Sequence, residues 1–80
     1  MKSDAQIKKQ QALSLIKLIS FAGSQAKLAR GLGVSRQVVR GWVSRGRISA
    51  TMAIKAERET NGYVKREELR PDVGNWFFEE

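Results

Sequence analysis

Cysteine and histidine are both absent from this 80-residue sequence. Without cysteine the chain can form no disulfide and offers no thiolate ligand, which suits a reducing compartment. Zinc is held mainly by cysteine and histidine, so an ordinary zinc site is excluded as well. Acid–base catalysis would fall on carboxylates, serine or lysine, and the glutamates from Glu57 to Glu68 have the pattern of a charged surface. We therefore expect no metal, no cofactor, no small-molecule substrate and no enzymatic activity.

Long apolar runs are also missing. No stretch approaches the roughly 20 apolar residues of a membrane-spanning helix, and the opening MKSDAQIKKQQ lacks the apolar segment and cleavage site of a secretory signal. A chain of this length forms one domain with a small core, and its hydrophobic share of 41% is typical of a folded protein. The sequence therefore predicts a single cytoplasmic domain that does not enter a membrane.

Acidic residues are missing from the whole interval between Asp4 and Glu57, and the chain carries a net charge of +7. The same interval contains ten basic residues: Lys8, Lys9, Lys17, Lys27, Arg30, Arg36, Arg40, Arg45, Arg47 and Lys55. Some short basic proteins are simply soluble, but a block of one charge repels itself, and a polyanion neutralises it best. The segregation of charge favours a nucleic acid as the partner.

The spacing of apolar residues predicts a succession of short helices. They cover residues 7–22, 25–32, 36–45 and 48 to about 60, with one last turn at 65–69. Glycine or Asn-Gly follows each of the four longer segments, and serines stand where the second and third helices would be capped. No segment alternates as a half-buried strand does. The predicted fold class is all-α, a compact domain of four to five helices.

The first helix has a less regular apolar face. Plotted at 100° per residue, its apolar half includes Ile16 and its polar half includes Ser14. Leu13 and Phe21 fall outside the apolar half, so we expect them to pack elsewhere.

The segment ARGLGVSRQVVRGWVSRGR, residues 29–47, combines five arginines with apolar residues and has no acid. On a helical wheel the third helix divides into a packing half with Val38, Val39, Trp42 and Val43 and a polar half with Arg36, Gln37, Arg40, Gly41, Ser44 and Arg45. Ten helical residues span about 15 Å, which fits a major groove about 12 Å wide. Two short helices around a turn that contains glycine are typical of a helix-turn-helix.

Residues 25–44 resemble the helix-turn-helix of the Cro/CI-type phage repressors. The match includes Ala29, the turn glycine Gly33 and the apolar anchors Leu28, Leu32, Val34, Val39 and Trp42. The wider stretch 15–72 is similar to the YdaS-like, Cro-related prophage proteins, through LARGLGVSRQVVRGWVSRGRIS and VKREELRPD. This resemblance implies a lambda-repressor-like DNA-binding domain over residues 1–72, in the cytoplasm of a bacterial host and associated with its nucleoid. Residues 73–80 remain as an aromatic and acidic tail.

The resemblance assigns roles to residues around the turn. Arg36 and Gln37 occupy positions that contact bases in the repressors, and Arg40 follows one turn later. Arginine suits the O6/N7 edge of guanine, and glutamine suits the N6/N7 edge of adenine. Further candidates for contacts to DNA phosphates are Ser24, Gln25, Lys27, Ser35, Ser44, Arg45 and Arg47. Gly41 departs from the pattern, because the repressors usually carry a side chain there.

These features predict a sequence-specific regulator of transcription that binds double-stranded DNA, a Cro-like repressor. The alternative is an antitoxin that binds its own operator and a toxin partner. One recognition helix contacts few base pairs, so we expect a weak homodimer on a pseudo-palindromic operator. Trp76, Phe77 and Phe78 are candidates for the dimer contact, although packing on their own domain and disorder stay open.

Overall fold

Five α-helices in succession form the domain in the computed structural model, which describes residues 3–73. They are α1 (Asp4–Ala22), α2 (Gln25–Leu32), α3 (Arg36–Arg45), α4 (Ala50–Glu59) and α5 (Arg66–Leu69). The predicted all-α, compact domain is confirmed, and α2 and α3 have the predicted bounds. Trp76, Phe77 and Phe78, the candidate dimer contact, lie outside the described residues.

Serine caps start the four longer helices. In each case the serine hydroxyl accepts a hydrogen bond from the backbone N–H three residues further on; the caps are Ser3, Ser24, Ser35 and Ser49. At Ser3 the side chain of Gln6 also accepts a hydrogen bond from the serine backbone N–H, which completes a capping box. α1 therefore begins about one turn before the predicted residue 7, because a capping box uses polar residues that apolar spacing does not detect.

One buried apolar cluster joins all five helices. Its members are Leu15, Leu18, Leu28, Ala29, Leu32, Val39, Trp42, Ile48, Ala53, Ala56, Val64 and Leu69. Burial of a large apolar side chain contributes roughly 1.5–3 kcal/mol, so these residues provide most of the favourable energy of a small domain. Val34, in the turn between α2 and α3, packs against the cluster as predicted.

The buried side of α1 is rotated from the predicted one. Ser14 is buried together with Gln11, although the apolar spacing assigns Ser14 to the polar half. Ile16, predicted to point inward, is 58% exposed. α1 packs against α5 as well as against α2, so its buried stripe is set by two neighbours and not by its own apolar residues alone. Leu13 and Phe21 lie outside the core, as predicted, and each is more than half exposed. Packing of these two residues elsewhere stays a prediction.

The buried face of α3 is also narrower than the sequence predicts. Val39 and Trp42 are buried, but Val38 and Val43 are 42% and 43% exposed. The core beneath α3 is small, so one stripe of side chains fills it, and the valines on either side of that stripe remain at the surface.

Polar contacts fasten the C-terminal end of the described chain to the rest. Arg70 binds Asp72 through both Nε and Nη2, at 2.8 and 2.6 Å, and its Nη1 donates to the carbonyl of Ile48 at 3.1 Å. Asp72 also accepts a hydrogen bond from Gln11 Nε2 at 2.8 Å. We call Arg70, Asp72 and Gln11 the C-terminal clasp. It connects α1, the segment before α4 and the residues after α5.

Within residues 3–73 no helix is long and apolar enough to cross a membrane. The same part of the chain holds no group of three or more acidic, cysteine or histidine residues that could bind a metal ion.

Candidate nucleic-acid interface

The turn between α2 and α3 fixes the orientation of α3. Gly33 adopts a left-handed conformation with φ of 71°, which favours glycine, and the N–H of Val34 donates to the carbonyl of Ala29 at 2.9 Å. Val34 packs against the core at this point, and Ser35 then caps α3. With Trp42 buried on the inner side, the opposite side of α3 must face solvent.

The polar side of α3 is exposed as the sequence predicts. Arg36, Gln37 and Arg40 are exposed, and so is Ser44 further along the helix. Arg36 and Arg40 lie one turn apart on the same face, with Gln37 beside them. The helix therefore presents two guanidinium groups and one amide from neighbouring positions, a set of donors and acceptors that suits the base edges of a major groove.

Gly41 leaves a gap in this face, and Arg45 lies beside it. A Cβ atom placed on Gly41 would lie 3.1 Å from Nη1 of Arg45, with no atom of another residue within 4 Å. The guanidinium of Arg45 thus extends back along the exposed face of α3. Arg47 is exposed just after the helix.

The start of α2 carries three of the candidate phosphate contacts. Ser24 accepts a hydrogen bond from the backbone N–H of Lys27 at 3.1 Å, so its hydroxyl hydrogen is still available to donate. Ser35 is arranged in the same way, accepting from the N–H of Val38 at 3.2 Å. Gln25, at the first position of α2, is half-buried, and Lys27 is exposed. The positive end of the α2 dipole adds to the charge of Lys27 at this place.

No carboxylate is present on α2 or α3, and three of those on other segments are bound to cations. Glu68 pairs with Lys17 at 3.1 Å. Burial favours a higher pKa for Glu57, but hydrogen bonds from the backbone and side chain of Arg66 outweigh it and lower the pKa. The hydrogen bond from Arg70 lowers the pKa of Asp72 to about 2, against the opposing effect of burial. The positive charge of α2 and α3 is therefore not neutralised by acids on those helices.

The sequence does not predict that two further basic residues lie near this surface. Arg70 lines a small cleft together with Arg45, Arg47 and Ser49, although it follows them by more than twenty positions. Lys55 on α4 places its Nζ near the turn, 3.5 Å from where a Cβ on Gly33 would lie. No local pattern distinguishes either residue, since only the packing of α4 and the C-terminal clasp brings them here.

The five helices, the capped turn and the basic exposed side of α3 define a helix-turn-helix domain of the Cro type. The structure is similar to that of the Cro protein from a candidate prophage element, Xfaso 1, in Xylella fastidiosa strain Ann-1. The TM-score is 0.72 at 42% sequence identity, and the match covers 78% of this chain and 95% of that chain.

The chain belongs to the family described as bacterial toxin YdaS, whose family model matches residues 15–76. It is 37% identical over 71 residues to the candidate transcriptional regulator YdaS of Escherichia coli strain K12, across 88% of this chain and 71% of that protein. These matches confirm the resemblance to YdaS-like and Cro-related prophage proteins. The relatives are described as a candidate regulator of transcription and a Cro protein.

Proposed function

We propose that this protein is a sequence-specific, double-stranded DNA-binding regulator of transcription, a Cro-like repressor acting in the bacterial cytoplasm. The observation that carries the proposal is the exposed side of α3, where Arg36, Gln37 and Arg40 lie together on a helix without acids. In this proposal α3 enters the major groove, and these three side chains contact base edges.

Contacts to phosphates position α3 in the groove. Ser24, Gln25 and Lys27 bind one backbone segment from the start of α2, where the helix dipole and a free hydroxyl hydrogen favour an anion. Residues on and around α3 bind the flanking phosphates: Ser35, Ser44, Arg45 and Arg47.

A second copy completes the DNA site, because one recognition helix contacts too few base pairs to select a single site in a genome. An exposed apolar patch is available for pairing, formed by Leu13, Phe21 and Tyr63. The rings of Phe21 and Tyr63 stack with their centroids 5.0 Å apart, and Nζ of Lys17 lies 4.8 Å from the Tyr63 ring centroid. We call this the aromatic patch. We propose that it forms a weak homodimer on a pseudo-palindromic operator.

Selection of bound duplexes from a random pool tests this function. The proposal expects enrichment of a defined sequence with two inverted half-sites about one helical turn apart. Enrichment of no sequence, at salt concentrations where the protein still binds DNA, would contradict sequence-specific recognition. Enrichment of a single half-site would contradict the pairing alone.

A second candidate is that this chain is the antitoxin of a toxin–antitoxin pair and binds its own operator and a toxin. The family description, bacterial toxin YdaS, points to toxin–antitoxin systems but names the toxin. The exposed rings of Phe21 and Tyr63 offer a surface for such a partner. Controlled expression separates the candidates when wild type is compared with Phe21→Ala/Tyr63→Ala and Arg36→Ala/Gln37→Ala. Rescue of cells from the product of a neighbouring gene, lost in the first variant and retained in the second, would support the antitoxin. An absence of rescue by wild type would rule it out.

A further inference from the structure

An apolar groove separates α1 from the end of α3. It has a volume of about 290 Å³ and is lined mainly by Ala12, Leu15, Ile16, Ile19, Val43 and Gly46. Ile16 and Val43 face it while 58% and 43% exposed, so the groove has no cover within residues 3–73. Pockets for small molecules typically measure about 300–1,000 Å³, so a groove at this lower limit suits one or two amino-acid side chains better than a ligand.

The described chain ends with bonds to α1 and to the segment that follows α3, the two parts of the fold that form the walls of this groove. Asp72 is held by Gln11 Nε2 at 2.8 Å, and Gln11 directly precedes Ala12 in the lining. Arg70 is held by the carbonyl of Ile48 at 3.1 Å, two residues after Gly46 on the other wall. The C-terminal clasp therefore holds the chain close to both walls just before Val73, whose N–H donates to the carbonyl of Arg70.

We propose that residues 74–80 of the same chain dock in this groove and place aromatic side chains on Ile16 and Val43. The seven residues after Val73 can span up to about 23 Å, whereas the groove follows α1 for only about 10 Å from Ala12 to Ile19. Trp76, Phe77 and Phe78 follow Val73 by three to five residues, so they come within reach of the middle of the groove. Large apolar side chains suit its apolar walls.

Charge supports the same arrangement. Glu79 and Glu80 follow the aromatic residues. Val43 lies at the margin of the packing half of α3, next to Arg40 and Arg36, which are three and seven residues earlier. A tail that covers Val43 thus brings its carboxylates toward the arginines of the exposed face. There they compete with DNA phosphates, a consequence that rests on the proposed DNA binding.

Nuclear magnetic resonance of the full-length protein tests the docking directly. We expect nuclear Overhauser contacts between the tail rings and the methyl groups of Ile16 and Val43. Ile16→Lys should remove them and move the indole N–H signal of Trp76 to the position of a solvated tryptophan. The indole signal of Trp42, which is 2% exposed in the core, should stay in place and report an intact fold.

Ala5→Lys is the matched control, because it adds the same charge to an exposed position of α1 outside both the groove and the aromatic patch. It should leave the Trp76 signal unchanged. The proposal would be overturned if the Trp76 indole signal does not move in Ile16→Lys, or if it moves equally in both variants. Contacts that form only between differently labelled chains in a mixed sample would place the tail of a second copy in the groove, which contradicts docking within one chain.

The charge effect has its own measurement. Glu79→Gln/Glu80→Gln should raise the affinity for DNA about two- to fivefold at low salt, as expected for removing exposed ion pairs. Unchanged affinity would contradict the competition with DNA. A wild type that binds no DNA would contradict the proposed function, and the resonance contacts would still decide the docking.

Discussion

Arg36 and Gln37 are exposed at the first two positions of α3. We predict that Arg36→Ala and Gln37→Ala each weaken binding to the preferred operator by about 1–3 kcal/mol, because each removes a bidentate contact to one base. Binding to random duplex DNA should change little. Titration of both DNAs at one salt concentration measures the difference.

Arg30→Ala provides the charge control for this prediction. Arg30 is exposed on α2 and lies outside the face of α3, so its removal deletes one positive charge without deleting a base contact. It should reduce operator and random binding equally and by less. If Arg36→Ala also lowers both affinities by the same factor, Arg36 contacts only phosphate.

Gly41 and Gly46 should respond in opposite ways to substitution by alanine. Gly41 is inside α3, where alanine is favoured by about 1 kcal/mol, and a Cβ there would meet only the mobile end of Arg45. Gly46 ends the helix with φ of 80°, a left-handed conformation that costs a non-glycine residue roughly 1–2 kcal/mol. Gly41→Ala should therefore raise the free energy of unfolding, and Gly46→Ala should lower it. Urea unfolding of the two variants measures both signs, and a loss of stability in Gly41→Ala would contradict the open space at that position.

At the scale of elements, the C-terminal clasp connects α1, the segment before α4 and the residues after α5. Asp72 has its pKa lowered from 3.8 to about 2, chiefly by the hydrogen bond from Arg70. A carboxyl group with a lowered pKa in the folded state contributes stability above its unfolded pKa. This contribution is lost as the pH falls from 3.8 through about 2.

We predict that Asp72→Asn is less stable than wild type at neutral pH and that the difference shrinks between pH 3.8 and about 2. Unfolding by urea at several pH values measures this narrowing. Glu67→Gln is the control, because it removes an exposed carboxylate from a nearby position in the sequence. Its free energy of unfolding at neutral pH should differ much less from that of wild type. A constant gap between Asp72→Asn and wild type across this pH range would show that the aspartate charge is not what holds the clasp.

At the scale of the whole molecule, the segregation of charge predicts strong salt dependence. If a dimer contacts about six to eight phosphates, the logarithm of the binding constant should fall against the logarithm of salt concentration with a slope of roughly −5 to −7. The physical reason is the release of counterions from DNA by the basic residues. A titration with salt measures the slope, and a value near zero would exclude phosphate contacts as the source of affinity.

Pairing of two molecules is also a property of the whole domain. We expect residues 1–73 to fold, since every described contact of the C-terminal clasp lies within them, and to self-associate as the full chain does. Leu13→Lys should weaken association by more than about tenfold, because it brings a charge into the apolar contact of the aromatic patch. Sedimentation measures both. Weaker association of residues 1–73 would instead place the tail aromatics in the dimer contact.

The local signals in the sequence were sufficient for the helix-turn-helix. Gly33 has the left-handed conformation that its position requires, Ser35 caps α3, and both helices of the motif have the predicted bounds. The exposed basic side of α3 followed from helical periodicity alone, because Val39 and Trp42 recur at the spacing that sends Arg36, Gln37 and Arg40 outward. These features depend on residues within one or two turns of each other, so the sequence by itself determined them.

Tertiary packing decided the features that depend on residues far apart in the chain. Ser14 is buried and Ile16 is exposed because α5 packs on α1. The spacing of apolar residues within α1 does not predict this contact. The position of Arg70 beside Arg45 and Arg47 follows from its bonds to Ile48 and Asp72. Whether a side chain on the margin of a helix is covered depends on which neighbour arrives there, and only the folded chain fixes that neighbour.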